Sequence, residues 1–112
     1  MTVPSSEVMY GTLDLLVLKT LQTLGPMHGY AIAQRIHQVS RQRLDVNQGT
    51  LYPALLRLEH NGWIRSKWGR TENNRRARYY SLTRLGEKRL TEEAARWEQM
   101  ADLMARVLEG AI

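Results

Sequence analysis

The chain of 112 residues contains no cysteine. That excludes disulfides, thiolate nucleophiles and cysteine-ligated zinc together, and it fits a chain working in the reducing cytoplasm. No apolar run reaches the roughly 18 residues that a membrane-spanning helix needs. The N-terminus also lacks the basic-then-apolar order of a secretory signal, so neither membrane nor export is expected. The three histidines, His28, His37 and His60, lie far apart. None is visibly paired with a carboxylate for acid–base work, and no spacing resembles a metal site. Gly69-Arg70-Thr71 lacks the glycine pattern and following lysine of a nucleotide-binding loop. Enzyme activity, a metal and a cofactor are all outside expectation.

Acid is scarce where base is dense. The formal net charge is +5. Between residues 65 and 90 nine basic residues face only Glu72 and Glu87, a local +7, whereas residues 91–112 sum to −3. Charge concentrated in this way steers a polyanion better than the same charge spread over a surface. With 43% apolar residues, the chain supports one compact domain and one further element, not two cores.

Residues 1–7 are polar and expected to be loose. From Val8, Leu13, Leu16, Val17, Leu21 and Leu24 recur at helical spacing until Gly25-Pro26 ends the run. A second helix is expected from Gly29 to Val39, with Ile32, Ile36 and Val39 on one side. Leu44-Asp45-Val46 is read as a small strand at the edge of a later hairpin. A third helix, Gln48 to His60, has Asn47 as its N-cap, an inner face of Leu51, Leu55 and Leu58, and a stop at Asn61-Gly62. Pro53 lacks an N–H and crowds the carbonyl four residues back, so an irregular first turn is expected rather than a broken helix.

Trp63-Ile64-Arg65-Ser66-Lys67-Trp68 alternates apolar and polar residues as a half-buried strand does, and Arg78-Tyr79-Tyr80-Ser81-Leu82 is its expected return. The turn between them is loaded with arginine. Guanidinium groups gain little from a surface turn and much from phosphate, although a merely solvated basic loop is the competing reading. Three helices followed by a basic hairpin are the order of a winged helix-turn-helix. The fold class is therefore mainly α with a small β hairpin.

If the third helix turns its leucines inward, its N-terminus presents Gln48, Gly49, Thr50, Tyr52 and Pro53, with Arg57 one turn on. Free N–H groups of a first helical turn hold phosphate, and short polar side chains reach base edges in a major groove. Arg70, Arg75, Arg76 and Arg78 of the hairpin are expected on the sugar–phosphate backbone or in the adjoining minor groove.

Four ordered segments carry a more specific signal. They are residues 10–18 (Tyr10-Gly11-Thr12-Leu13 onward), His28-Gly29-Tyr30-Ala31-Ile32, residues 49–59 (Gly49-Thr50-Leu51-Tyr52-Pro53 onward) and residues 78–86 (Arg78-Tyr79-Tyr80-Ser81-Leu82 onward). Together they resemble the PadR family of bacterial transcription regulators, in the small branch with a single C-terminal helix. The resemblance implies a homodimeric winged-helix repressor on palindromic operator DNA, released by a small molecule or stress. It places Thr50 and Tyr52 among the recognition-helix contacts and Arg75, Arg76 and Arg78 on the wing. Trp63 departs from the pattern, which often has a smaller aliphatic residue there.

Thr83 is the expected cap of a last helix running from Arg84 to about Glu109. Residues 1–83 thus form the DNA-binding unit, and residues 84–112 a dimerisation helix. Leu90, Ala94, Trp97, Ala101, Met104 and Leu108 repeat at spacings of 4, 3, 4, 3 and 4. A helix of this length spans about 38 Å, more than a domain this small needs, so its stripe is read as a coiled-coil-like seam with a second subunit. Folding back over its own three helices is the competing reading. In a symmetric dimer Trp97 approaches its mate, and with Met100 and Met104 it forms a candidate pocket for a planar aromatic or phenolic effector. Two other partners suit the same fold: a protein surface, for which the wing arginines would be dispensable, and structured RNA, which is read by shape.

Overall fold

The computed structural model describes residues 3–4 and 10–110. In chain order the elements are β1 (Val3–Pro4), α1 (Tyr10–Leu24), β2 (Met27–His28), α2 (Gly29–Val39), β3 (Leu44–Asp45), α3 (Gln48–His60), β4 (Ile64–Arg70), β5 (Arg76–Leu82) and α4 (Arg84–Leu108). The expected helix start at Val8 lies outside the described residues, as does most of the stretch expected to be loose.

The helix boundaries follow local chemistry. Gly25 ends α1 at φ +79°, with its N–H bonded to the Leu21 carbonyl at 2.9 Å. His28 caps α2 through Nδ1, which accepts from the Ala31 N–H at 3.3 Å. Asn47 Oδ1 accepts from the Thr50 N–H at 3.0 Å and opens α3 at the expected residue. The helix runs through Pro53 without a break. Thr83 does two jobs with one hydroxyl: it accepts from the Gly86 N–H at 3.0 Å and donates to the Gly62 carbonyl at 2.7 Å. The start of α4 is thereby fastened to the turn that leaves α3.

The core is continuous from α1 through α2 and α3 to the hairpin. Leu13, Val17, Leu18 and Leu21 meet Ile32 and Ile36, the α3 face Leu51, Leu55 and Leu58, and Ile64 and Tyr80 from the strands. β4 and β5 pair antiparallel over their whole length, from Ile64 opposite Leu82 to Arg70 opposite Arg76. The third strand of this sheet is β2, not the expected Leu44-Asp45-Val46 segment. Met27 pairs with Tyr80 and His28 with Tyr79, so the sheet order is β2-β5-β4. β3 pairs in parallel with β1 instead, and Val46 is buried in the core. The chain entering α2 runs along the edge of β5 that β4 leaves open and supplies its second partner.

α4 reverses the fold-back reading. Gly86 and Leu90 are buried in the body, and Ala94 is half-buried, but every residue from 95 to 110 is exposed. The molecule is accordingly elongated, 56 × 33 × 21 Å. Leu90 is a correction: it belongs to the core at 3% exposure and is not part of a free seam. Among the described residues, no helix is long and apolar enough to cross a membrane.

Candidate nucleic-acid interface

Alternation along the hairpin decides where its arginines sit. The register places Ile64, Ser66, Trp68 and Arg70 on the same face as Leu82, Tyr80, Arg78 and Arg76. At the base of the hairpin this face enters the core through Ile64 and Tyr80. Towards the tip it emerges as Trp68, Arg76 and Arg78, all exposed. Arg76 lies over the Trp68 ring at 4.2 Å and Arg78 at 5.2 Å. The other face carries Tyr79 with one ring edge against Gly69, where an added Cβ would come within 2.7 Å of the ring. Tyr79 then donates its hydroxyl proton to the Arg70 carbonyl at 2.7 Å.

The tip is ordered by its own hydrogen bonds. The Thr71 N–H reaches the Arg75 carbonyl at 2.8 Å, the Asn74 N–H reaches the Thr71 carbonyl at 2.9 Å, and the Arg75 N–H reaches Thr71 Oγ1 at 3.2 Å. Asn74 turns the chain at φ +59°, a conformation asparagine tolerates better than most residues. Arg70 donates from Nη1 to the Asn74 carbonyl at 3.2 Å, so it braces the tip as well as carrying charge.

Across from this face stand α2 and α3. Tyr30, Gln34, Tyr52, Trp68, Arg75, Arg76 and Arg78 line one open cleft of about 1110 Å³. Tyr52 lies against Gly29, where an added Cβ would meet its hydroxyl at 2.8 Å; the absent side chain lets α3 sit close to the start of α2. A second, smaller hollow joins Gln48 to Tyr30, Gln34 and His37. Gln48, Gly49 and Pro53 are exposed and Thr50 is half-buried. The fold therefore brings Tyr52 of α3 and Arg75, Arg76 and Arg78 of the wing to one cleft, with Gln48 in the hollow next to it.

Arg57 does not join them. Its guanidinium is paired with Asp14 of α1, and both side chains are largely covered. Arg57 ties two core helices together, which corrects its expected place on the outward face. From another side of the same helix, Glu59 Oε2 accepts from the Ser66 hydroxyl at 2.6 Å and fastens β4 to α3. Burial pushes the Tyr80 phenol above its ordinary value of 10.0, with the Arg78 charge pulling the other way. Trp63, the departure noted in the sequence, is half-buried against the core and carries the Arg89 guanidinium of α4 at 4.6 Å.

Sequence reasoning missed Tyr30, Gln34 and Trp68 as members of this surface. Tyr30 is an exposed aromatic one residue into a helix, a signal that was available. The place of Trp68 follows only from the strand register.

The profile of the transcriptional regulator PadR-like family matches residues 17–92. The chain belongs to that family. A solved protein of Streptococcus mutans superposes on this PadR-like chain with a TM-score of 0.82 at 28% identity, covering 100% of this chain and 97% of the other. A transcriptional regulator from Clostridium thermocellum gives a TM-score of 0.80 at 31% identity, with 89% and 96% covered. A transcriptional regulator of Mycobacterium tuberculosis is 37% identical over 75 residues, 67% of this chain and 66% of that protein. PadR-like proteins regulate transcription and are not enzymes, and the winged helix described above is a DNA-binding fold.

Proposed function

We propose that this PadR-like regulator is a homodimeric repressor of palindromic operator DNA. The observation that carries the reading is the cleft that Tyr52 of α3 shares with Arg75, Arg76 and Arg78 of the hairpin, with Gln48 in the adjoining hollow. On this reading Gly49, Thr50 and Pro53 of the same helix start and Arg70 of the hairpin join them at the DNA. In this arrangement α3 enters the major groove and reads base edges, while the wing holds sugar–phosphate and fixes the register. Exposure of Trp97, Met100, Leu103 and Met104 along α4 supports the dimer, because an apolar stripe of this length is costly to leave in water. Two copies joined there present two reading helices to half-sites about one helical turn apart. Ala94, Ala101 and Leu108 complete the seam. A planar aromatic or phenolic compound between the paired Trp97 indoles, walled by Met100 and Met104, is the effector class we assign. Such a regulator works where the DNA is, in the cytoplasm.

Selection of bound fragments from random duplexes, followed by footprinting, tests this reading. The expected result is an inverted repeat protected as two half-sites, with promoter elements under the footprint in the parental genome and release by added phenolics that Trp97→Ala abolishes. Enrichment of no duplex, or of single sites without symmetry, overturns it.

A further inference from the structure

The arginine face of the hairpin has an unusual component. Arg76 and Arg78 are like charges two residues apart on one strand, and Arg70 stands directly opposite Arg76. Among the described residues no ion pair engages Arg76 or Arg78; the contact they share is the indole of Trp68, at 4.2 and 5.2 Å. Trp68 is 54% exposed, so it contributes little to the core. A large aromatic residue left half in water on a polar hairpin calls for a reason. The strand register supplies one, because Trp68 sits opposite Arg78 and diagonal to Arg76 and meets both on the cleft side.

We propose that Trp68 is a positioning residue for DNA binding. It holds Arg76 and Arg78 as a preorganised pair of guanidinium groups on the face shared with α3. Two free arginines repel each other and sample many rotamers, and a phosphate backbone that captures them must first order both. The indole face attracts each cation, offsets their repulsion and removes much of that ordering before DNA arrives. Electrostatic attraction between DNA and arginine is then directed towards the groove that α3 reads. This inference rests on the wing being a DNA contact, and its test separates the two ideas.

The test is a double-mutant cycle on a short mixed-sequence DNA duplex at one fixed salt concentration, with thermal stability measured alongside. Arg76→Ala with Arg78→Ala, in the parental background, reports on the wing itself. If that pair leaves affinity unchanged, the wing reading fails and Trp68 has nothing to position. Trp68→Leu in the parental background is expected to weaken binding about 3- to 10-fold with the melting temperature held, in line with one or two cation–π contacts. In the arginine-less background the same substitution is expected to change affinity less than about 2-fold, since its effect is coupled to the guanidinium groups. Trp68→Tyr, which keeps a π face, is expected to restore most of the loss. An equal loss from Trp68→Leu in both backgrounds overturns the proposal by making Trp68 an independent contact. A loss that Trp68→Tyr fails to restore, or one that tracks a fall in melting temperature, overturns it as well.

Discussion

In the first turns of α4, Gly86 and Leu90 are buried against the winged-helix body, whereas every residue from 95 to 110 is exposed. The apolar spacing does not change between these halves; the partner does. Near the body α4 packs against α1. An added Cβ at Gly86 would overlap the Trp63 carbonyl oxygen, so the helix approaches the hairpin as closely as backbone allows. Further out, Trp97, Met100, Leu103, Met104 and Val107 carry the same kind of surface, and none of the described residues covers it. Periodicity alone thus marks a helix as amphipathic without saying whose core it completes.

A charge placed on the outer half is the strongest way to break that comparison. Met104→Asp is expected to turn the proposed dimer into monomers in sedimentation experiments, because a carboxylate in a paired apolar seam must be desolvated without a partner. Losing the tether between two DNA-binding units is expected to weaken binding to a palindromic fragment on the order of 100-fold or more. The body should keep its fold. Met104→Asp that remains dimeric would remove α4 from the interface.

Leu90→Ala probes the other half. It deletes a side chain that is 3% exposed inside the monomer. The expected cost is about 2–5 kcal/mol of stability from lost transfer and the cavity left behind. Thermal melts at several protein concentrations distinguish the two roles, since a core defect lowers every curve alike while a seam defect steepens the concentration dependence. A strong concentration dependence in Leu90→Ala would return this residue to the seam.

Local chemistry made much of this architecture legible. Asn47, Thr83, Gly25 and the leucines of α3 act within a few residues of themselves, and they bound α1, α3 and α4 where the sequence places them. What escaped depends on distant chain. The strand at Met27–His28 has no β signature; it forms because β5 has a second edge beside the entrance to α2. Leu44–Asp45 reads as the better strand, yet the fold carries it to β1. Trp68 becomes part of the arginine surface through a register that no local pattern reveals. In the site, the α3 N-terminus and the wing were legible as polar and basic segments, but their common side needed the fold.

Arg57 gives the smallest effect and the sharpest test of what was misread. It stands one turn beyond the exposed start of α3, where a cation on a recognition helix looks like a phosphate ligand. Its partner, Asp14, is 43 residues earlier in the chain, beyond the reach of any local reading. Both side chains are mostly covered, so the pair lies between a screened surface bridge and a buried one. Arg57→Ala is therefore expected to cost about 1–3 kcal/mol of stability, much of it from leaving the Asp14 carboxylate without its cation. DNA affinity, measured well below the melting temperature, is expected to stay within about 2-fold of the parent with an unchanged salt slope, because no phosphate contact has been removed. A stable variant whose salt slope falls by about 1 would show the opposite: an arginine that leaves Asp14 to meet phosphate when DNA is present.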